Sequence, residues 1–184
     1  MELGERLFGS MWFVKKTEKE MKRDKVPWSE RVGEVVAIIC TVIVIIFFAI
    51  HQTRPTGFFT DEFGTADSVL LYLMILIGVV PAFVRLLLGS RNAARPFDAF
   101  SLVVFCVGSL YFLATFPFDF AHFAEPFPHA LEFLIDWISA DLAKLLLVLG
   151  VITAPFFSVY TFLLYVAVKK RMAQPPAQTQ PAAP

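Results

Sequence analysis

LLLVLGVITAPFFSVYTFLLYVAVKKR, Leu145 to Arg171, is a run of 24 uncharged residues closed by Lys169, Lys170 and Arg171. A bilayer core takes about 20 helical residues, so the run is long enough to cross it. The cations at its end mark the side that resists translocation. Working back toward Met1, uncharged runs also occupy Ala99 to Phe118, Ser68 to Val84 and Val35 to Ile50. With their flanks they predict spans at about 33–51, 67–88, 98–118 and 142–168. Each is read as a helix, because an open strand in lipid leaves its amides unpaired and no segment alternates as a barrel strand does.

Charge orders the four spans. Of the 16 Lys and Arg residues, all but Arg54 and Lys144 lie before the first span, between the second and third, or after the fourth. The loops on the other side carry Asp61, Glu62, Asp67, Asp119, Glu125, Glu132, Asp136 and Asp141. The expected fold is an all-α integral membrane protein, a four-transmembrane-helix bundle in a plasma or inner membrane with both termini cytoplasmic. Its 57% apolar content and mean hydropathy of +0.66 agree. The stretch after Met1 lacks the short apolar core and small-residue cleavage site of a secretory signal.

Small residues recur at helix-packing intervals: Gly33, Ala37 and Thr41; Gly78 and Ala82; Ser101, Gly108 and Thr115; Gly150, Ala154 and Ser158. Where lipid supplies no hydrophobic drive, such rows let backbones approach closely. Pro81 and Pro155 lie inside spans and are read as static bends.

Residues 1–28 form a basic amphipathic segment. Leu3, Leu7, Phe8, Met11, Trp12 and Val14 recur at helical spacing ahead of Lys15, Lys16, Lys19, Lys22, Arg23 and Lys25, a pattern suited to a helix lying on an anionic leaflet. Glu18, Glu20 and Asp24 dilute that basic run and argue against a nucleic-acid partner. Pro27 ends the helix, Trp28 sits at the interface, and Ser29 is the expected N-cap of the first span. Residues 29–171 are the membrane domain, and the Pro-rich tail 172–184 is expected to be disordered. In the second outer loop, His129 to Ala140 reads as a short surface helix with His129, Glu132 and Asp136 on its polar face.

The same loop holds the only candidate chemistry. His122, Glu125, His129 and Glu132 are ligand types for a divalent cation such as zinc, with His129 and Glu132 one turn apart. Pro126 interrupts the pattern, and solvated surface residues are the competing reading. Of the histidine pairs only His51 and His122 sit suitably for haem, and no attachment motif accompanies them. Cys40 and Cys106, deep in apolar spans without a CxxC arrangement, are read as inert. Arg85 is expected to snorkel to the inner surface, Asp98 to cap a helix end, and Lys144 to pair with Asp141. No catalytic or cofactor signature appears, so no cofactor is implied beyond a divalent metal. The expected function is that of a small accessory or scaffold subunit without catalysis of its own, bound to a membrane-protein partner or to a second copy. The alternative is transport, sensing or metal-dependent chemistry at the outer His and carboxylate cluster. A channel would need a polar stripe that the spans lack.

Overall fold

The computed structural model describes residues 11–54 and 56–174. Among the described residues there are five α-helices: α1 (Met11–Lys22), α2 (Trp28–Thr53), α3 (Thr65–Leu88), α4 (Arg91–Thr115) and α5 (Ala140–Met172). Helices α2 to α5 are each long and apolar enough to cross a membrane, and the chain is an all-α, multi-pass membrane protein. Leu3, Leu7 and Phe8, and the tail beyond residue 174, lie outside the described residues.

Consecutive spans are neighbours. Helix α4 packs most extensively on α5, α3 packs on α4, and α2 packs on α3, at the edge of the bundle. The row on α5 works as its spacing predicts. Gly150, Ala154 and Ser158 are buried, Ser158 Oγ donates to the Ala99 carbonyl of α4 at 2.8 Å, and a Cβ on Gly150 would stand 2.5 Å from the Phe105 ring. On α3, Ala82 is buried but Gly78 faces open space. On α2, a Cβ on Gly33 would meet nothing within 4 Å and Ala37 is exposed, while Thr41 is half-buried beside α3.

Helix ends follow local chemistry, and several differ from expectation. Helix α2 begins at Trp28 rather than being capped by Ser29: Pro27, with φ −67° and ψ 159°, takes the N-cap position and its carbonyl already accepts from Glu30 and Arg31. Helix α4 starts at Arg91, well before the expected residue 98, because Ser90 caps it by accepting from the Ala93 amide at 3.1 Å. It stops at Thr115, where Phe116 turns left-handed at φ 39° ahead of Pro117, which disfavours helix at the preceding residue. Between His129 and Ala140 there is no α-helix. A 3-10 turn, Glu132–Leu134, replaces it, held mainly by i to i+3 bonds such as Leu134 N–H to the Leu131 carbonyl. Ser139 then accepts from Leu142 and restarts the helix as α5.

Helix α1 does not keep its apolar face free for lipid. Phe13 joins Leu164, Ala167 and Val168 of α5 in a buried cluster, with Met21 and Tyr160 against it. Further along α1, Glu18 accepts from Arg171 of α5 at 2.7 Å. Trp12 stays exposed.

Candidate functional site

Most lysines and arginines lie at one end of the molecule and a cluster of phenylalanines at the other. At the basic end, α3 places Arg85 between α2 and α4. Its Nε donates to Glu34 Oε1 at 2.6 Å, and Nη1 donates to both Asp98 oxygens, at 3.0 and 3.1 Å. One guanidinium thus joins three spans. Arg85 therefore does not merely snorkel to the surface, and Asp98 is its partner rather than a helix cap. Arg95, buried on α4, donates to Asn92 Oδ1 at 2.9 Å and to Glu20 of α1 at 2.7 Å.

The segment between α1 and α2 is stitched to the α3–α4 turn. Asp24 accepts from the Ser90 hydroxyl and, at 2.7 Å, from the Asn92 amide. Val26 N–H donates to the Gly89 carbonyl at 2.9 Å, and Arg91 pairs with Glu30. Gly89 has φ 61°, a left-handed value that closes α3, and a side chain there would collide with the Arg31 guanidinium.

The opposite end is built of phenylalanine. Phe58, 2% exposed, is ringed by Phe48, Phe59, Phe118, Phe120 and Phe123 at centroid distances of 4.9 to 6.1 Å. The two loops are zipped together by the Asp119 amide donating to the Phe58 carbonyl at 2.7 Å and the Thr60 amide to that of Pro117 at 3.2 Å. Gly57, at φ 87°, lets the backbone pass against the His122 ring, 3.0 Å from where a Cβ would lie. Below the loops an apolar cavity of about 350 Å³ is lined by all four spans, Phe48, Met74, Phe112 and Leu146 among them.

His51 lies at the same end of the molecule, against Phe58. It is 3% exposed, shares a 2.6 Å hydrogen bond through Nδ1 with the Thr56 hydroxyl, and lies 4.7 Å from both the Phe47 and Phe58 rings. Its Nε2 is buried without a formed hydrogen bond, beside the Phe123 backbone. His51 and His122 are on the same side, but Thr56 and the phenylalanines occupy the surroundings of the first and Glu125 engages the second.

The four residues expected to hold a metal fall into two pairs. His122 Nδ1 meets Glu125 Oε1 at 2.7 Å, and His129 Nδ1 meets Glu132 Oε1 at 2.7 Å. Among the described residues no group of three or more His, Cys, Asp or Glu side chains comes together to hold a metal. The hydrogen bond that Glu125 accepts holds the His122 imidazole above its ordinary 6.5 by favouring its protonated form. The other expected contacts also resolve. Lys144 lies 4.3 Å over the Phe116 ring and, among the described residues, forms no ion pair with Asp141. Cys106 points its thiol at the Val151 carbonyl at 3.8 Å, and both cysteines are free.

The Glu34–Arg85–Asp98 and Glu20–Arg95 pairings are not evident from sequence spacing. A signal was present: Glu34, Arg85 and Asp98 each stand a turn or two inside the basic end of a different span, so antiparallel packing sets them at one level. Comparison with protein-family models, with curated proteins and with solved structures found no match in any of the three.

Proposed function

We propose that this membrane protein is a non-catalytic scaffold or accessory subunit whose edge helix α2 receives a transmembrane helix of a partner subunit. One contrast supports this role. The Gly150, Ala154 and Ser158 row is buried beneath α4, whereas on α2 Gly33 and Ala37 stand open and Thr41 is only partly covered. In lipid, close backbone approach is a main source of helix association, so the open row supplies the contact that α5 already uses internally.

A second feature runs beside it. Thr41, Cys40 and Gly78 line an apolar groove of about 450 Å³ between α2, α3 and α4. No charge lines it, so the fitting partner face is itself apolar and small. Arg85 and Arg95 at the basic end, meanwhile, are engaged with carboxylates of α1, α2 and α4, an arrangement suited to holding a frame rigid rather than to moving protons or ions. The basic end belongs in the cytoplasm by the placement of its lysines and arginines.

Photo-crosslinking from Ala37 in native membranes tests this role, with Phe156, exposed on α5, as the lipid-facing control. A discrete protein adduct from position 37 and none from position 156 is the expected result. A doubled chain would make the partner a second copy. Lipid adducts alone at both positions would remove the basis for a docking role.

A further inference from the structure

Helix α1 and the last turns of α5 enclose a groove of about 380 Å³. Phe13 and Val14 from α1 and Val166 and Ala167 from α5 give it apolar walls, and Lys170, Arg171 and Gln174 form its rim. Along α5 the lining passes from apolar to cationic within about one turn. That is the level at which hydrocarbon gives way to lipid headgroups. Thr17, at the floor, spends its hydroxyl on the Phe13 carbonyl at 2.8 Å, so the floor offers no polar contact.

The two rim cations differ. Arg171 Nη1 donates to Glu18 of α1 at 2.7 Å, while Lys170 is exposed and forms no ion pair among the described residues. An apolar slot with an unneutralised ammonium at headgroup height is complementary to an amphiphile with a negative head. We propose that this groove binds an anionic phospholipid of the adjoining leaflet, its phosphate at Lys170 and Arg171 and the first carbons of one acyl chain between Val14 and Val166. The volume fits a headgroup and part of one chain, with the remainder of the lipid in the bilayer. This site stands on the α1–α5 geometry and is independent of the partner proposed for α2.

Free phosphate presents the same anionic chemistry without the chain, and the two sources separate in one experiment. The full chain, purified in mild detergent, is mixed with phosphatidylglycerol or with phosphatidylcholine of identical acyl chains, and retained lipid is counted by native mass spectrometry. One phosphatidylglycerol is retained per chain in preference to phosphatidylcholine, and excess inorganic phosphate does not displace it. Lys170→Ala lowers retention about fivefold, the equivalent of about 1 kcal/mol for one cation near a lipid surface. Val14→Trp fills the slot without changing charge and also lowers it, while Lys22→Ala does not. Equal retention of both lipids, displacement by phosphate alone, or retention indifferent to both Lys170→Ala and Val14→Trp would overturn the proposal.

Discussion

Arg85 of α3 and Glu34 of α2 meet at 2.6 Å, an ion pair that ties the edge helix to the rest of the bundle. The same guanidinium binds Asp98 of α4. Removing it leaves two carboxylates facing one another. Breaking a buried pair costs about 3–5 kcal/mol, and partial exposure at this site lowers that to about 2–3 kcal/mol. Arg85→Met is therefore expected to unfold at a distinctly lower denaturant concentration in a detergent titration followed by circular dichroism, and Arg85→Lys to recover part of the loss. An unchanged midpoint for Arg85→Met would show that the triad contributes no stability.

Gly150 and Gly33 should answer oppositely to the same methyl group. At Gly150 the added carbon meets the Phe105 ring edge at 2.5 Å, and overpacking of this kind costs about 1–3 kcal/mol. At Gly33 there is open space, and Gly33→Ala is neutral or stabilising by up to about 1 kcal/mol through helix propensity. Thermal denaturation of the two purified variants decides it; equal losses would contradict the packing described.

His122 should titrate above 6.5, the shift coming first from its hydrogen bond to Glu125. A histidine raised on folding adds stability that is complete below its ordinary value and fades as pH climbs through the raised one. The loop contact is thus expected to weaken on the alkaline side of 6.5. NMR titration of the imidazole should show the midpoint falling toward about 6.5 in Glu125→Gln, and no movement would disconnect the two residues.

Zinc is expected to bind weakly at best. Two separate His–Glu pairs each offer two ligands, where a structural site uses about four and a catalytic one about three. Purified protein dialysed against buffer should retain no stoichiometric zinc. A one-to-one content lost on replacing His122 and His129 would mean that the loop rearranges to unite the pairs.

A cytoplasmic basic end, the orientation argued from its lysines and arginines, predicts a labelling pattern. In a chain with Cys40 and Cys106 replaced, an impermeant maleimide added to intact cells should modify a cysteine introduced at Asp61 or Asp136 and spare one at Lys22. The reverse pattern would invert the molecule.

The four spans were legible because length and charge-free composition are nearly sufficient in a bilayer, where backbone bonds must close within each segment. Their ends were less so. Arg91 to Phe97 reads as a charged loop, yet it is helical because Ser90 and Asp24 satisfy its first amides, a long-range contact that spacing cannot reveal. Isolated periodicity also overstated His129 to Ala140, where the apolar residues recur at helical intervals but the bonds form a 3-10 turn. Among small-residue rows, the one on α5 and the one on α2 look alike in sequence, and only the order in which helices become neighbours tells them apart. The candidate metal ligands were correct as chemical types, and the loop geometry paired them off within short distances of the chain.

The docking of α1 on α5 has a consequence for the order of events during synthesis. The first described helix to leave the ribosome finds its seat, Leu164 to Val168, only after the last span has been made and inserted. Until then Met21 lacks the α5 surface that it packs against. Seating of α1 is therefore coupled to the insertion of α5 and cannot precede it.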